Sequence, residues 1–274
     1  MRQERIRLPG DAQWLLQTLH TAGYSAYVVG GCVRDSLLGR QPGDWDICTS
    51  ARPDQMRALF ADQQLILTGE KHGTVGVVLH GKPYEITTYR LDGQYRDHRH
   101  PDRVQFVGEL AEDLSRRDFT INAMAYAPGE GVIDLHGGRQ DLANGIIRCV
   151  GKPEARFEED ALRILRALRF AARLGFVLEP ETEQAARAAC NTLQSVSAER
   201  IYAELDGLLT VPGAGATLSR YGAILAGAIP EVGPCMGCTQ PGRWHCYDVW
   251  QHTAAAVTAL DLRGQDTRGA RVLC

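Results

Sequence analysis

Two aspartates, Asp44 and Asp46, flank Trp45 directly after Gly43. Alternate residues of an extended chain share a face, so a strand over Trp45–Thr49 is expected to present both carboxylates on one side. Trp45 and Ile47 then turn into the core. Carboxylates this close repel one another unless a cation lies between them, and hard oxygen donors suit magnesium. Metal held in this way can orient and neutralise an in-line phosphoryl transfer. Glu85, in the run Tyr84-Glu85-Ile86-Thr87-Thr88, is a candidate third carboxylate of the cluster. The plainer reading of all three is a solvated acidic group on edge strands.

Upstream lies Gly30-Gly31-Cys32-Val33-Arg34-Asp35. A double glycine between a strand and a helix lets backbone approach a ligand closely, and it sets free helix N–H groups where a phosphate can sit. Arg34 adds a charge-assisted bond to that phosphate; the alternative is a tight turn followed by a surface arginine. Farther along, Asp113-Leu114-Ser115-Arg116-Arg117-Asp118-Phe119-Thr120-Ile121-Asn122-Ala123 reads as a polar rim on a packed helix start. Arg117 is its candidate for a triphosphate or ribose contact, against the alternative of a capped helix with a surface ion pair.

The third block runs from Glu158 to Phe170. On a single helix over 158–174, Ile164, Leu165, Leu168, Ala171 and Ala172 form an apolar arc. Asp160, Arg163, Arg166 and Arg169 recur along the other half. A planar guanidinium and a carboxylate are what base-edge recognition needs, and an ordinary amphipathic helix is the alternative.

These residues need elements to position them. Helical spacing covers Ala12–Ala22, Val33–Leu38 and Gln55–Asp62, and strand patterns cover Tyr27–Val29, 63–68, 74–80 and 84–90. From Glu154 strand signals vanish, and helices are expected at 158–174, 180–191, 197–209 and 248–260. The expected fold is an α/β head with a small mixed sheet over 1–150, then an all-α neck over 151–210. A partial helical body over 211–274 reads as cut within a domain. Between Arg90 and Gln105 the chain turns to Arg, Asp, His, Gly and Pro, a charged loop.

With 30 Lys+Arg against 33 Asp+Glu in 274 residues, the formal net charge of -3 excludes a uniformly basic nucleic-acid coat but not a local basic face. No apolar signal core and no membrane-spanning run are present. Eight scattered cysteines fit reduced thiols in the cytoplasm. Cys235-x-x-Cys238 with His245 and Cys246 has zinc-compatible spacing, read here as a Gly/Pro-rich loop with incidental thiols.

Together the three blocks resemble class II tRNA nucleotidyltransferases, the CCA-adding enzymes, and their bacterial poly(A) polymerase relatives. The resemblance runs from residue 26 to about 210. It takes in His72-Gly73-Thr74-Val75, Glu85-Ile86-Thr87-Thr88-Tyr89-Arg90, the stretch from Asp92 to Pro101, and Ser197-Ala198-Glu199-Arg200-Ile201. It implies a polymerase-β-like head, a nucleotide-selecting neck, and body and tail domains that grip tRNA. The implied enzyme adds CTP and ATP to the tRNA 3′ end, with magnesium as its cofactor. Asp44 and Asp46 would hold metal, with Glu85 beside them. Gly30, Gly31, Arg34, Arg117, Asp118 and Asn122 would contact the nucleotide, and Asp160, Arg163, Arg166 and Arg169 would line its base pocket.

The product is left open between full CCA, A alone and poly(A), with a non-catalytic RNA-binding module as a further alternative. Met124-Ala125-Tyr126 argues against the polymerase, where Leu-Tyr-Tyr is usual, and the intact charged loop favours CCA or A addition. Asp248-Val249-Trp250-Gln251-His252-Thr253 looks like the opening of an HD phosphohydrolase-type domain, with His252 as its first metal ligand. No such activity is assigned.

Overall fold

The computed structural model describes residues 5–92, 104–241 and 246–262. Helix α1 (Gly10–Thr21) buries Ala12, Leu15, Leu16 and Leu19, one stripe at helical spacing, and packs on strand β1 (Ala26–Val29). Helix α2 (Gly31–Leu37) follows, then β2 (Ile47–Thr49), α3 (Pro53–Leu59), β3 (Gln64–Ile66), β4 (Thr74–Leu79) and β5 (Lys82–Thr88). A short antiparallel pair, β6 (Arg90–Asp92) and β7 (Val104–Phe106), leads to α4 (Leu110–Ser115). Strands β8 (Met124–Ala127) and β9 (Gly131–Asp134) and helix α5 (Gly138–Asn144) complete this region.

Seven strands form one sheet in the order β3-β4-β5-β2-β1-β8-β9. Only β2 and β5 run parallel, so the sheet is mixed as expected. Val29, Cys48, Tyr89, Leu114 and Ala125 pack as one buried cluster, joining β1, β2 and β8 to α4. Burial of such side chains contributes about 1.5–3 kcal/mol each before entropy is counted.

Backbone contacts separate the described chain into two compact units, one up to Ala143 and one from Asn144 onward. The second holds β10 (Ile146–Ile147), α6 (Pro153–Glu159), α7 (Leu162–Leu174), β11 (Val177–Leu178), α8 (Pro180–Ala189), α9 (Ala198–Leu209), α10 (Ala214–Leu225), α11 (Val232–Cys235) and α12 (Val249–Leu262). Helix α7 is its centre and packs against α9 and α10. All five residues of the expected apolar arc are buried.

Several expectations are corrected. The strand expected over Trp45–Thr49 begins only at Ile47, and Trp45 is half-buried rather than core. The second unit is not wholly helical: Gly175, at φ 74, ends α7, and the β-prone Val177–Leu178 then pairs in parallel with Ile146–Ile147. The helix expected over 158–174 is two helices, broken at Asp160. Three successive acids oppose the α6 dipole at its C-terminus, and the Asp160 carboxylate captures the Leu162 N–H instead. The charged loop is bracketed by β6 and β7, whose register pairs Asp92 with Val104. Residues 93–103 lie outside the described residues, as does His245.

Candidate active site

The Val29 N–H donates to the Asp46 carbonyl at 3.0 Å, which ties the aspartate segment to the sheet ahead of β2. Parallel register sets Ile47 beside Ile86, so Asp46 and Glu85 precede paired residues on neighbouring strands. Asp44, Asp46 and Glu85 are all exposed. Even so, the Asp46 carboxyl is pushed up to about 6, first by desolvation, then by repulsion from Asp44 and Glu85, with Arg117 opposing. Since Asp46 keeps an open solvent face, it is the protein packed beneath it that supplies this desolvation.

Among the described residues no three His, Cys, Asp or Glu side chains converge as metal donors, so Glu85 stands beside the aspartates without closing a three-ligand group. The donor set still fits magnesium, which takes one or two carboxylates and completes its shell with water and substrate phosphate. Mutual repulsion at Asp46 is what such a cation relieves.

Gly30 adopts φ 81, and a Cβ there would come within 3.3 Å of the Arg117 Nη1. The glycine thus serves a turn and a close guanidinium at once. Arg34 is not a surface arginine. It is 3% exposed; its Nε donates to Asp35 Oδ1 at 2.8 Å and its Nη1 to Asn122 Oδ1 at 2.7 Å. Asn122 Nδ2 in turn donates to Asp118 Oδ1 at 3.2 Å, which also accepts from the Phe119 N–H at 2.8 Å. Arg34, Asp118 and Asn122 therefore form a buried framework that fastens α2 to the 3-10 turn Thr120–Asn122.

Arg117 is different. Its Nη2 donates to Asp113 Oδ2 at 3.1 Å, while its Nε is buried with no hydrogen-bond partner. Asp113, fully buried at the end of α4, also accepts from Arg116 Nε and Nη2 at 3.0 and 2.8 Å. Burial opposes its charge, but the Arg117 and Arg116 guanidiniums outweigh that and hold its carboxyl below the usual range. Sequence reasoning assigned Asp113 no role, although its i,i+3 and i,i+4 spacing to the arginines was the signal.

In the second unit Asp160 is extended, at φ -147 and ψ 103. Its Oδ1 accepts from the Leu162 N–H at 3.1 Å and its Oδ2 from Arg200 Nη2 at 2.8 Å. Arg163 lies on α7, 8% exposed, and donates to Glu159 Oε2 at 2.5 Å and to the Arg156 carbonyl at 3.1 Å. The two do not share one helical face, which corrects the expectation. Arg169 Nε donates to Glu204 Oε2 at 2.6 Å, and Arg166 approaches Glu204 Oε1 at 3.7 Å. Both guanidiniums lie over the Phe170 ring, at 4.6 and 5.7 Å from its centroid. Arg200 and Glu204, one turn apart on α9, are the positioning residues that the sequence reading left unassigned. An Asp directly before an apolar periodic run is a helix-start signal that pointed to the break.

Asp248 caps α12 through the Gln251 N–H at 2.7 Å and closes its preceding loop through the Gly237 N–H at 2.8 Å, so its role there is structural. Cys235, Cys238 and Cys246 are free thiols, and His252 joins no metal-binding group among the described residues.

Two family models match the chain: the poly A polymerase head domain over residues 26–148, and the "Probable RNA and SrmB- binding site of polymerase A" over 175–221. The CCA-adding enzyme of Geobacillus stearothermophilus is 50% identical over 208 residues, 76% of this chain and 51% of that protein. The chain thus spans about half the length of the curated relatives it matches. Among solved structures, the Bacillus stearothermophilus CCA-adding enzyme in complex with CTP superposes with a TM-score of 0.74 at 40% identity, over 93% of this chain and 63% of that one. A tRNA nucleotidyltransferase complexed with a primer tRNA and an incoming ATP analog gives a TM-score of 0.70 at 29% identity, over 94% of this chain and 73% of that one. With the mixed-sheet head, the paired aspartates and these matches together, the chain belongs to the family of class II tRNA nucleotidyltransferases, the CCA-adding enzymes and their poly(A) polymerase relatives.

Proposed function

We propose that this chain carries template-independent nucleotidyl transfer, adding CTP and ATP to complete the CCA sequence at the 3′ end of tRNA. One observation carries the reading. Two exposed carboxylates repel one another, and one of them, Asp46, stands within electrostatic reach of Arg117, whose buried Nε has no partner. A cation answers the first feature and a phosphate oxygen the second.

Asp44 and Asp46 would hold magnesium, which when bound supplies charge neutralisation at the transferring phosphoryl group. Arg117, oriented by Asp113 and given room by Gly30, binds a phosphate of the incoming nucleotide. The buried Arg34–Asn122–Asp118 framework keeps that arrangement rigid. The RNA 3′-hydroxyl attacks the α-phosphate; a new P–O bond forms, the bond to the bridging oxygen breaks, and pyrophosphate leaves. Glu85 adds negative potential beside the aspartates.

Base choice is assigned to the neck at 151–210, with 211–274 as the beginning of a body that grips RNA. Cytosine and adenine both present an exocyclic amine beside an unprotonated ring nitrogen. Asp160 accepts from the amine, using lone pairs left over from Leu162 and Arg200, while Arg163 donates to the ring nitrogen. Guanine and uracil present the opposite pattern, and each unpaired buried group costs about 1–3 kcal/mol. Arg166 and Arg169 complete the cationic wall, braced by Glu204. The relatives solved with CTP, and with primer tRNA and an ATP analog, support this reading. Seven described free cysteines, three of them buried, fit a reducing cytoplasmic setting.

Incubation of the protein with magnesium and tRNA lacking CCA, supplied with each nucleotide separately and then with CTP and ATP together, tests the reading. CCA-terminated product is expected. Addition of A alone, or of long A tracts, assigns the chain to the A-adding or poly(A) branch. No incorporation by any nucleotide overturns the enzymatic reading.

A further inference from the structure

Helix α11 ends on Cys235, and a second cysteine follows three residues later at Cys238. Met236, at φ -75 and ψ 125, and Gly237, at φ 75, form the turn between them. These dihedrals match a type II turn, in which glycine takes the left-handed position and the outer Cα atoms lie within about 7 Å. Disulfides span about 4.4–6.8 Å between Cα atoms, so the two thiols can be joined without refolding the segment. The turn is also fastened on its far side. The Gly237 N–H donates to Asp248 Oδ2 at 2.8 Å, the Val249 N–H donates to the Cys238 carbonyl at 3.1 Å, and Thr239 bridges Asp248. The start of α12 therefore holds the dithiol in place.

The two cysteines differ in access. Cys238 is exposed, whereas Cys235 is half-buried and its Sγ donates to the Glu231 carbonyl at 3.4 Å. Cys238 thus meets an incoming reagent first, and Cys235 is the thiol that resolves it. A structural zinc site needs four donors, and among the described residues no three His, Cys, Asp or Glu side chains converge to supply them. Asp248, on the facing segment, is taken by the Gly237 and Gln251 N–H groups. We infer that Cys235 and Cys238 form a thiol–disulfide site that exchanges with a small-molecule disulfide of the glutathione type. The Cys238 thiolate attacks one sulfur of the oxidised reagent and expels the other as thiolate, leaving a mixed disulfide. The Cys235 thiolate then attacks the Cys238 sulfur, the second reagent thiolate leaves, and an intramolecular disulfide closes. The chain gives up two electrons and two protons, and the reagent is reduced to two thiols. Closing the ring restricts Gly237 and Cys238 and, through their hydrogen bonds, the start of α12. The pairing stands or falls apart from nucleotidyl transfer.

The test equilibrates the chain in buffers of graded reduced-to-oxidised glutathione ratio, traps the remaining thiols with N-ethylmaleimide, and reads the tryptic peptides by mass spectrometry. Cleavage after Arg220 and Arg243 places Cys235 and Cys238 in one peptide and Cys246 in the next. As the oxidised fraction rises, the first peptide is expected to lose two hydrogens and both alkyl groups together, and dithiothreitol to restore them. Half-conversion is expected at a lower oxidised fraction in buffer than in urea, because the folded turn brings the thiols together. Cys235→Ser is expected to trap the mixed disulfide on Cys238, Cys238→Ser to lose the closure, and Cys246→Ser to keep the parental half-conversion ratio. Amide exchange at Gly237 and Val249 is expected to slow in the oxidised chain. Should either of the first two serine variants fail to fold by circular dichroism, the parental titration carries the test. Two alkyl groups on the peptide at every ratio overturn the inference, as does a disulfide linking Cys238 to Cys246. So does the same half-conversion ratio in buffer and in urea. Zinc retained at one equivalent through gel filtration, with both cysteines protected from alkylation, overturns it in favour of a metal site.

Discussion

Arg34 donates to Asn122 at 2.7 Å across 88 residues of sequence, and neither side chain reaches the surface. The bond fastens the helix after the glycine pair to the segment that follows Arg117. Two sequence blocks that look like separate ligand contacts are thereby one rigid piece. The same guanidinium is held by Asp35, so the cluster mixes a buried ion pair with amide bonding.

Removing one side of that cluster destabilises the fold before it affects chemistry. Arg34→Ala leaves Asp35 as a buried charge without its ion pair and is expected to cost about 3–5 kcal/mol. Asn122→Ala removes the acceptor for Arg34 and the donor to Asp118 and is expected to cost about 1–3 kcal/mol. Urea unfolding followed by circular dichroism measures both; losses of a few tenths of a kcal/mol would mean that the framework is dispensable.

Asp113→Asn tests a pH dependence whose sign follows from the lowered carboxyl. A group depressed in the folded state contributes stability above its unfolded value of 3.8, and that contribution disappears as pH falls through the folded value. The variant is therefore less stable than the parent between pH 5 and 7, and the gap closes below about pH 4. A gap of constant size from pH 7 to pH 3 contradicts the assignment. The same variant frees Arg117 to wander, so its KM for nucleotide rises more than its kcat falls.

Asp44→Asn and Asp46→Asn are expected to abolish nucleotide incorporation in magnesium while RNA binding and secondary structure stay at parental levels. Both residues are exposed. Retained incorporation by either variant removes the metal assignment. Glu85→Gln is expected to lower the rate without abolishing it, since Glu85 stands beside the pair but closes no donor group.

Asp160→Asn separates base reading from helix capping. Asparagine still caps the Leu162 N–H, so stability changes by at most about 1 kcal/mol. Its amide loses the charge that pairs with Arg200 and accepts less strongly from a base amine. CTP and ATP incorporation falls, and UTP or GTP incorporation rises relative to them, in single-turnover reactions on tRNA ending before CCA. An unchanged C/A-over-U/G ratio sinks the pocket. Gly207→Ala approaches the same pocket from α9: a Cβ there would lie 2.6 Å from Arg169 Cδ, displacing that guanidinium from Glu204. A parallel loss of discrimination is expected.

Sequence alone marked the candidate side chains, because the aspartate pair, the glycine turn and the arginine series are local patterns. It also settled the mixed α/β head and the apolar arc of α7, because periodicity encodes which residues face a core. What it could not show is which polar and charged groups are already committed to one another. Arg34 with Asn122, Asp160 with Arg200 and Arg169 with Glu204 are brought together from 88, 40 and 35 residues apart. Such partners are chosen by packing, because a charge leaving water must find a counter-charge or a hydrogen-bond partner wherever the chain folds back. The break at Asp160 follows the same logic: helical spacing continued through it, but the carboxylate found a backbone N–H and a guanidinium at once, and the helix ended there.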